Sequence, residues 1–280
     1  MQINDAFKYA KQKLDSSSHR RIDSEILLCS ILNCNRTKLY AYPDKLLSFD
    51  DKKKYKELIN KRSEGYPIAY LTKQKEFWGH TLHINDNILI PRPETELLVE
   101  KALKLISIFS LNKILELGTG SGAIAIAIAS EKPNVNIKAT DIKDNIIKIA
   151  SKNADLYEIK NIKFVKSNWF SDIKKNNFDL IVSNPPYVSG DDPVLRNSDI
   201  RFEPVSALVS GNDGLDDLKK IIRESSNYLK NNGWLVVEHA YDQGAKVRKL
   251  FLENKFTSKT IKDYNKLERI TFGRLLKKNE

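Results

Sequence analysis

A chain of 280 residues, 41% hydrophobic and 30% charged, is long enough to bury a full core and to divide into one large domain and a smaller one. Its longest apolar runs, such as 123–129, stop well short of the roughly 20 residues that span a bilayer, and 1–14 lacks the apolar stretch of a secretory signal, so no membrane partner and a cytoplasmic location are expected. The net charge of +11 permits an acidic or RNA-rich partner, but the lysines are spread along the chain and balanced locally, apart from Lys52–Lys54 and Arg274–Lys278, so direct nucleic-acid binding is not expected.

Residues 1–74 carry helical periodicity without strand alternation. Ala6, Tyr9, Ala10 and Lys13-Leu14 mark one amphipathic helix, and Ile22, Ile26, Leu27 and Ile31 a second. Thr37 and Ser48 are expected to cap further short helices, the latter leading into Tyr55, Leu58 and Ile59. Cys29 and Cys34 fall in this helical stretch and read as buried structural thiols; two cysteines supply neither a disulfide framework nor a four-ligand zinc site. A small helical bundle is the expectation for 1–74.

Between 75 and 93 the pattern changes to short apolar alternation, with Phe77, Leu82, Ile84, Ile88 and Ile90 set around Gly79 and Asn85-Asp86-Asn87, which predicts a hairpin linker. His80 and His83 read as ordinary side chains of that hairpin. His19 and His239 are distant in sequence and no cluster of acids or thiols accompanies any of the four, so no metal site is expected.

The third region, 94–280, opens with a helical period over Glu94–Phe109. Strands and helices then alternate: a strand over Ile114–Leu117, a helix over Gly122–Ser130, a strand over Asn136–Ile142, a helix over Asp144–Tyr157, and strands over Ile162–Val165 and Phe178–Ser183. A helix over Leu215–Leu229, a strand over Trp234–Glu238, a helix over Asp242–Leu252 and two strand-like stretches, Thr257–Ile261 and Glu268–Gly273, complete the chain. Such alternation specifies an α/β fold, a mainly parallel sheet covered by helices on both faces, with ligands at the carboxyl ends of the strands.

The first strand of this region runs into Gly118-Thr119-Gly120-Ser121-Gly122 and then a helix, where glycine allows a tight turn and close approach of backbone to a ligand. Gly118, Gly120 and Ala123 also satisfy a dinucleotide pattern, so a nicotinamide or flavin ligand stays in view. Asp141, closing the next strand, can accept from two ribose hydroxyls, which predicts an adenosine-type ligand without naming it. Glu116 beside the glycine turn would repel a pyrophosphate and suits a ligand with an ammonium and a sulfonium; alternatively it only closes a strand end. In Ser167-Asn168-Trp169-Phe170, Trp169 either stacks on an adenine or fills core, and Asn168 could accept from an exocyclic amine.

The strand over Phe178–Ser183 ends in Asn184-Pro185-Pro186-Tyr187, the most specific signal in the chain. Two prolines hold the backbone extended and remove two N–H donors, leaving carbonyls and the Asn184 side chain as acceptors. Acceptors suit a substrate that brings an NH2 group. A planar amide nitrogen must pyramidalise as it attacks, and hydrogen bonds to Asn184 Oδ1 and the Pro185 carbonyl would favour that geometry, with Tyr187 covering the flat face.

With these residues in place, the chain resembles the glutamine N5-methyltransferases of peptide chain release factors over essentially its whole length. The resemblance is carried by 65–71, Phe77-Trp78-Gly79, Pro91 to Glu96, Leu117 to Gly122, Trp169-Phe170, Asn184 to Tyr187, Arg201 to Pro204 and Glu238-His239. The Asn-Pro-Pro-Tyr motif alone is shared with adenine methyltransferases, and Pro91–Glu96 with Arg201–Pro204 narrows the match. The resemblance implies a Rossmann-like, seven-stranded S-adenosylmethionine-dependent methyltransferase core behind an N-terminal helical bundle that helps dock the substrate. It implies cofactor contacts from Gly118, Thr119, Gly120, Ser121, Gly122, Asp141, Trp169 and Asn184, with S-adenosylhomocysteine as product. It also implies that Asn184, Pro185, Pro186 and Tyr187 grip the glutamine of the Gly-Gly-Gln loop of a class I release factor, and the chain is expected to act as a monomer. Asn168 stands where relatives often carry Asp, and Asn265-Lys266 replaces a usual glycine, a turn that Asn265 should preserve by adopting left-handed dihedrals. Adenine methylation of nucleic acid, nicotinamide-dependent redox chemistry and a silent adapter role are the competing expectations; the first would want an added recognition domain, of which the sequence shows none.

Overall fold

The structure, a computed structural model, describes residues 1–14, 19–175, 177–196 and 199–276. The last two residues of the basic run Arg274–Lys278 therefore lie outside the described residues. Two compact units divide the chain: one comprises Met1–Gln74 together with Pro193–Phe202, the other Lys75–Asp192 and Glu203–Glu280.

The first unit packs α1 (Ile3–Lys13), α2 (Arg20–Leu32), α3 (Arg36–Ala41), α4 (Phe49–Ser63) and α5 (Ile68–Thr72). Ile3, Ala6, Ala10, Leu27, Leu28, Leu39, Tyr55 and Ile59 form its core. The buried Tyr55 hydroxyl donates to the Ala6 carbonyl at 3.2 Å and lies 2.7 Å from Ser24 Oγ, so this buried hydroxyl is satisfied. Ser48 Oγ caps α4 by accepting from Asp51 N–H, as the sequence predicts. At α3 the cap is Asn35, whose side chain accepts from Lys38 N–H, and Thr37 lies inside the helix, a correction of two residues. In α2 the buried stripe runs through Leu27 and Leu28 while Ile22 and Ile26 are exposed, so the helix is rotated from the face that periodicity suggested. Cys29 and Cys34 are half-buried free thiols rather than fully buried ones, and Cys34 follows α2 instead of lying in a helix. The 193–202 segment joins this unit through Asp199, which accepts from Arg62 at 3.0 Å while Arg62 also holds Asp23 at 2.7 Å, and through Phe202, whose ring lies tilted against Tyr66 with centroids 4.6 Å apart.

The second unit begins with a two-stranded hairpin, β1 (Gln74–Phe77) and β2 (His80–His83), followed by a tight 3-10 turn at Pro93–Thr95 and α6 (Glu96–Phe109). Its large sheet comprises β3 (Lys113–Leu117), β4 (Asn136–Asp141), β5 (Ile162–Lys166), β6 (Phe178–Ser183), β7 (Leu229–Glu238), β8 (Lys259–Lys262) and β9 (Glu268–Arg274). The strand order is β5-β4-β3-β6-β7-β9-β8, with only β9 antiparallel to its neighbours. Alternation along the strands sends Ile114, Leu180 and Val236 into one apolar layer with α6, α7 (Ala123–Glu131) and α8 (Asp144–Leu156). Leu115, Ile181, Leu235 and Val237 enter the opposite layer with α9 (Asp216–Ser225) and α10 (Gly244–Glu253). All seven residues 123–129 of α7 are buried, as its unbroken Ala/Ile run requires. Between β8 and β9 the left-handed residue is Lys266 (φ +63°) rather than Asn265, and Asp263 Oδ1 secures the turn by accepting the N–H groups of Asn265 and Leu267.

Chain order reverses between β3 and β6, since β3, β4 and β5 progress to one side and β6 returns to the other. Ligands of open α/β sheets bind in the crevice that such a reversal opens at the carboxyl ends.

Candidate active site

Sheet register brings the predicted motifs into one row. Leu117 pairs with Ser183, so Gly118 and Asn184, the next residue on each strand, emerge side by side at the reversal point. On the other flank Leu117 pairs with Thr140 and Asp141 with Lys166, which places Asp141 and Ser167-Asn168-Trp169 beside the glycine turn. A cavity of about 270 Å³ opens there, lined by Gly118, Gly120, Asp141, Asn168, Trp169, Asn184 and Pro186 among the predicted residues.

The glycine turn is locked to its neighbours: Thr119 N–H donates to the Thr140 carbonyl at 2.7 Å, and Gly120 N–H donates to Asp141 Oδ2 at 3.0 Å. Gly118 has φ +73°, and a side chain there would come within 3.4 Å of the Trp169 ring, so the absence of Cβ at this position leaves room for the indole. Trp169 itself adopts φ +52°, a conformation that a bulky residue holds only when its surroundings enforce it. That enforcement is visible: Trp169 Nε1 donates to Asp217 Oδ1 at 3.0 Å, and Ser210 Oγ donates to Asp217 Oδ2 at 2.8 Å while accepting Asp217 N–H. Burial raises the Asp141 carboxyl above its usual range, with backbone N–H groups acting in the opposite direction.

Asn184 follows the buried end of β6. Its Nδ2 donates to Thr95 Oγ1 at 3.1 Å, whereas its Oδ1 is buried and has no partner. A desolvated acceptor without a donor costs free energy on the order of 1–3 kcal/mol, which a ligand donor would recover. Pro186 also lines the cavity, but Pro185 and Tyr187 do not. Tyr187 packs against the layer that holds α9, its hydroxyl donates to Glu238 Oε1 at 3.2 Å, and its carbonyl accepts from Gln243 Nε2, so in this arrangement it is a wall of the strand tip and does not cover a ligand's face. Burial raises the Tyr187 hydroxyl far above its ordinary range.

Four other predicted residues lie behind the cavity surface. Glu116 is 1% exposed, its Oε2 accepts from Thr119 Oγ1 at 2.7 Å, its Oε1 has no partner, and burial pushes its carboxyl up to about 7. Thr119 and Ser121 are buried, and Gly122 starts α7 against Ala150 of α8. Residues not foreseen from the sequence complete the lining: Asn87, Ile88 and Leu89 from the stretch after the hairpin, Lys143 and Ile146 beyond β4, and Asp217 at the start of α9. Lys143 Nζ donates to Ser206 Oγ at 3.3 Å across this rim. The motif Pro91–Glu96 also acquires a local meaning. Glu203, 4% exposed, accepts from Ile90 N–H and pairs with Arg92, Glu96 accepts from Trp78 N–H, and Thr95 holds Asn184.

The family models for the methyltransferase small domain and the PrmC N-terminal domain match residues 93–198 and 5–72 respectively. A release factor glutamine methyltransferase from Aliivibrio fischeri is 41% identical over 93% of this chain and 92% of its own length. Its namesake from Escherichia coli K12 is 40% identical over 98% of this chain and 99% of its own. Among solved structures, a methyltransferase from Pyrococcus furiosus shares the fold at 18% identity, with a TM-score of 0.53 over 71% of this chain and 90% of that one.

Proposed function

The chain belongs to the release factor glutamine methyltransferase family, and from that membership we propose that it moves the methyl group of S-adenosylmethionine onto the side-chain amide nitrogen of the glutamine in the Gly-Gly-Gln motif of a class I peptide chain release factor. The observation that carries this reading is the buried, unpartnered Oδ1 of Asn184 beside the glycine turn. An acceptor already stripped of water binds an N–H donor strongly, and a primary amide offers two.

The residues present fit the methyl donor. Asp141 spends one oxygen on Gly120 N–H and keeps lone pairs for ribose hydroxyls, Ile142 and Ile146 supply apolar surface, and Gly118 leaves the backbone open to close approach. When bound, the donor supplies an electrophilic methyl on a sulfonium. Asn184 Oδ1 would accept from the substrate NH2, orient the nitrogen and favour its pyramidal form as its lone pair leaves conjugation, offsetting the charge that develops on it. No base needs to act beforehand, and the proton lost from nitrogen passes to solvent. Holding the two reactants in line can supply about 7–11 kcal/mol of the barrier reduction.

The helical unit is assigned the docking of the release factor: it carries 17 Lys and Arg against 10 Asp and Glu, and exposes Tyr42, Leu46 and Phe49. A substrate of translation places the monomeric enzyme in the cytoplasm. Incubation with labelled S-adenosylmethionine and, separately, release factor, its Gln-to-Ala variant and oligonucleotides tests the reading. Label is expected on intact release factor alone, and Asn184→Ala should lower turnover by roughly 100-fold with a smaller change in S-adenosylhomocysteine affinity. Label on nucleic acid alone, or near-normal turnover of that variant, would overturn it.

A further inference from the structure

Pro185 and Pro186 have no N–H to donate, and the residue after them, Tyr187, is held on both sides: its N–H donates to the Leu208 carbonyl at 3.1 Å and its carbonyl accepts from Gln243 Nε2 at 2.9 Å. Gln243, 6% exposed, stands at the start of α10, just beyond the tip of β7, the strand that pairs with β6. Its Oε1 accepts from Ala240 N–H at 3.0 Å, and its Nε2 also reaches the Gly214 carbonyl at 3.3 Å. A backbone N–H only donates and a carbonyl only accepts, so these partners fix which end of the carboxamide faces Tyr187. Ala240 is held in turn: its carbonyl accepts from His239 Nδ1 at 2.8 Å, and His239 Nε2 lies 2.9 Å from Thr271 Oγ1 on β9. Gly214, at φ +71°, leaves the space that the carboxamide uses, because a Cβ there would stand 2.7 Å from Gln243 Nε2 and collide with the Tyr187 carbonyl oxygen.

We propose that Gln243 is a positioning residue for methyl transfer, a brace between the tips of β6 and β7 that sets where Asn184 stands. Gln243 does not line the cavity, so it acts through the backbone it holds. Each proline ring locks its own φ and restricts the residue before it, so Asn184 to Pro186 form a stiff arm, and a shift at Tyr187 is carried to Asn184 instead of being absorbed on the way. The inference rests on the proposed amide substrate, since the exact place of Asn184 Oδ1 matters to a nucleophile that it orients. A misplacement of about 1 Å at such a group can cost on the order of 100-fold in rate. The residues assigned to the methyl donor, Gly118 and Asp141, belong to β3 and β4 and have no bond to this brace.

The test uses the full-length enzyme. Gln243→Met keeps the length and removes both polar ends, Gln243→Glu keeps the acceptor for Ala240 but sets a second acceptor against the Tyr187 carbonyl, and Gly214→Ala crowds the same carbonyl without touching Gln243 itself. Turnover at saturating donor and release factor should fall roughly 10- to 100-fold in all three, while the KM for release factor and the S-adenosylhomocysteine affinity, measured by calorimetry, stay within about threefold of wild type. In hydrogen exchange followed by mass spectrometry, the peptide over 184–190 should exchange roughly tenfold faster in Gln243→Met than in wild type, and the peptide over 113–122 at the same rate. Normal turnover in Gln243→Met, a loss that appears only as a raised KM, or unchanged exchange over 184–190 would overturn the inference. Donor affinity that falls in step with turnover in both Gln243 variants would make the role merely structural and overturn it as well. Wild-type enzyme that fails to label release factor would count against the substrate reading, and the exchange measurement would then decide this one by itself.

Discussion

Glu116 pairs only one of its two oxygens, with Thr119, and its carboxyl is pushed from an ordinary 4.5 to about 7 by burial. Between those values the folded chain holds a proton that the unfolded chain has released, so the stabilisation is complete below about 4.5, drains away as pH rises through 7, and is absent above it. The displacement corresponds to roughly 3 kcal/mol once the group is forced to ionise. Glu116→Gln should therefore melt above wild type at pH 8, with the gap closing as pH falls to 5; a gap that is independent of pH in parallel thermal melts would show that Glu116 ionises elsewhere. At this scale Asp141, Trp169 and Asn184 reach the cavity because each stands at or just beyond a strand end, a placement legible in the sequence. It could not reveal Thr95, Lys143 or Asp217, which reach the site from positions that no local spacing relates to it. Nor could it show that Glu116 and Tyr187 turn into the interior, since which face a residue takes at a strand end depends on partners far along the chain.

In the turn joining β3 to α7 the backbone takes a conformation that glycine favours. Gly118 combines φ +73° with a Trp169 ring 3.4 Å from where a Cβ would stand. Gly118→Ala should cost about 1 kcal/mol of stability from the dihedral while the Trp169 ring, in ordinary contact with the added Cβ, keeps its place; a lowered melting temperature with unchanged S-adenosylhomocysteine affinity in fluorescence titration is expected, and a loss of roughly tenfold in affinity would mean that the ring is displaced. The succession of strands and helices was legible from periodicity, since the buried β3, β6 and β7 alternate between two apolar layers and α7 is apolar all round. Helix faces were less so. In α2 the apolar residues exceed what one face can bury, and tertiary packing chose Leu27 and Leu28 over Ile22 and Ile26. At α3, Asn35 and Thr37 are both competent caps, and Asn35 takes the role.

For the whole molecule, the small helical unit depends on a guanidinium. Arg62, with a side chain 14% exposed, bridges Asp23 and Asp199 inside that unit. Arg62→Met should remove that charge from beside the buried Asp23 carboxylate and the half-exposed Asp199 and destabilise the helical unit by about 3 kcal/mol, lowering its melting transition while S-adenosylhomocysteine binding in the sheet-bearing unit persists. Loss of both together would mean that the two units unfold as one. Composition carries no sign that the small unit is discontinuous, because 193–202 lies deep within the alternating pattern of the large one.

That discontinuity limits how the protein can be taken apart or rebuilt. A cut near residue 74 would strand ten residues of the bundle on the wrong fragment, leaving Arg62 without Asp199 and Tyr66 without Phe202. Exchanging the front end between homologues by simple head-to-tail fusion would create mismatched seams, so a working chimaera has to transplant both stretches at once.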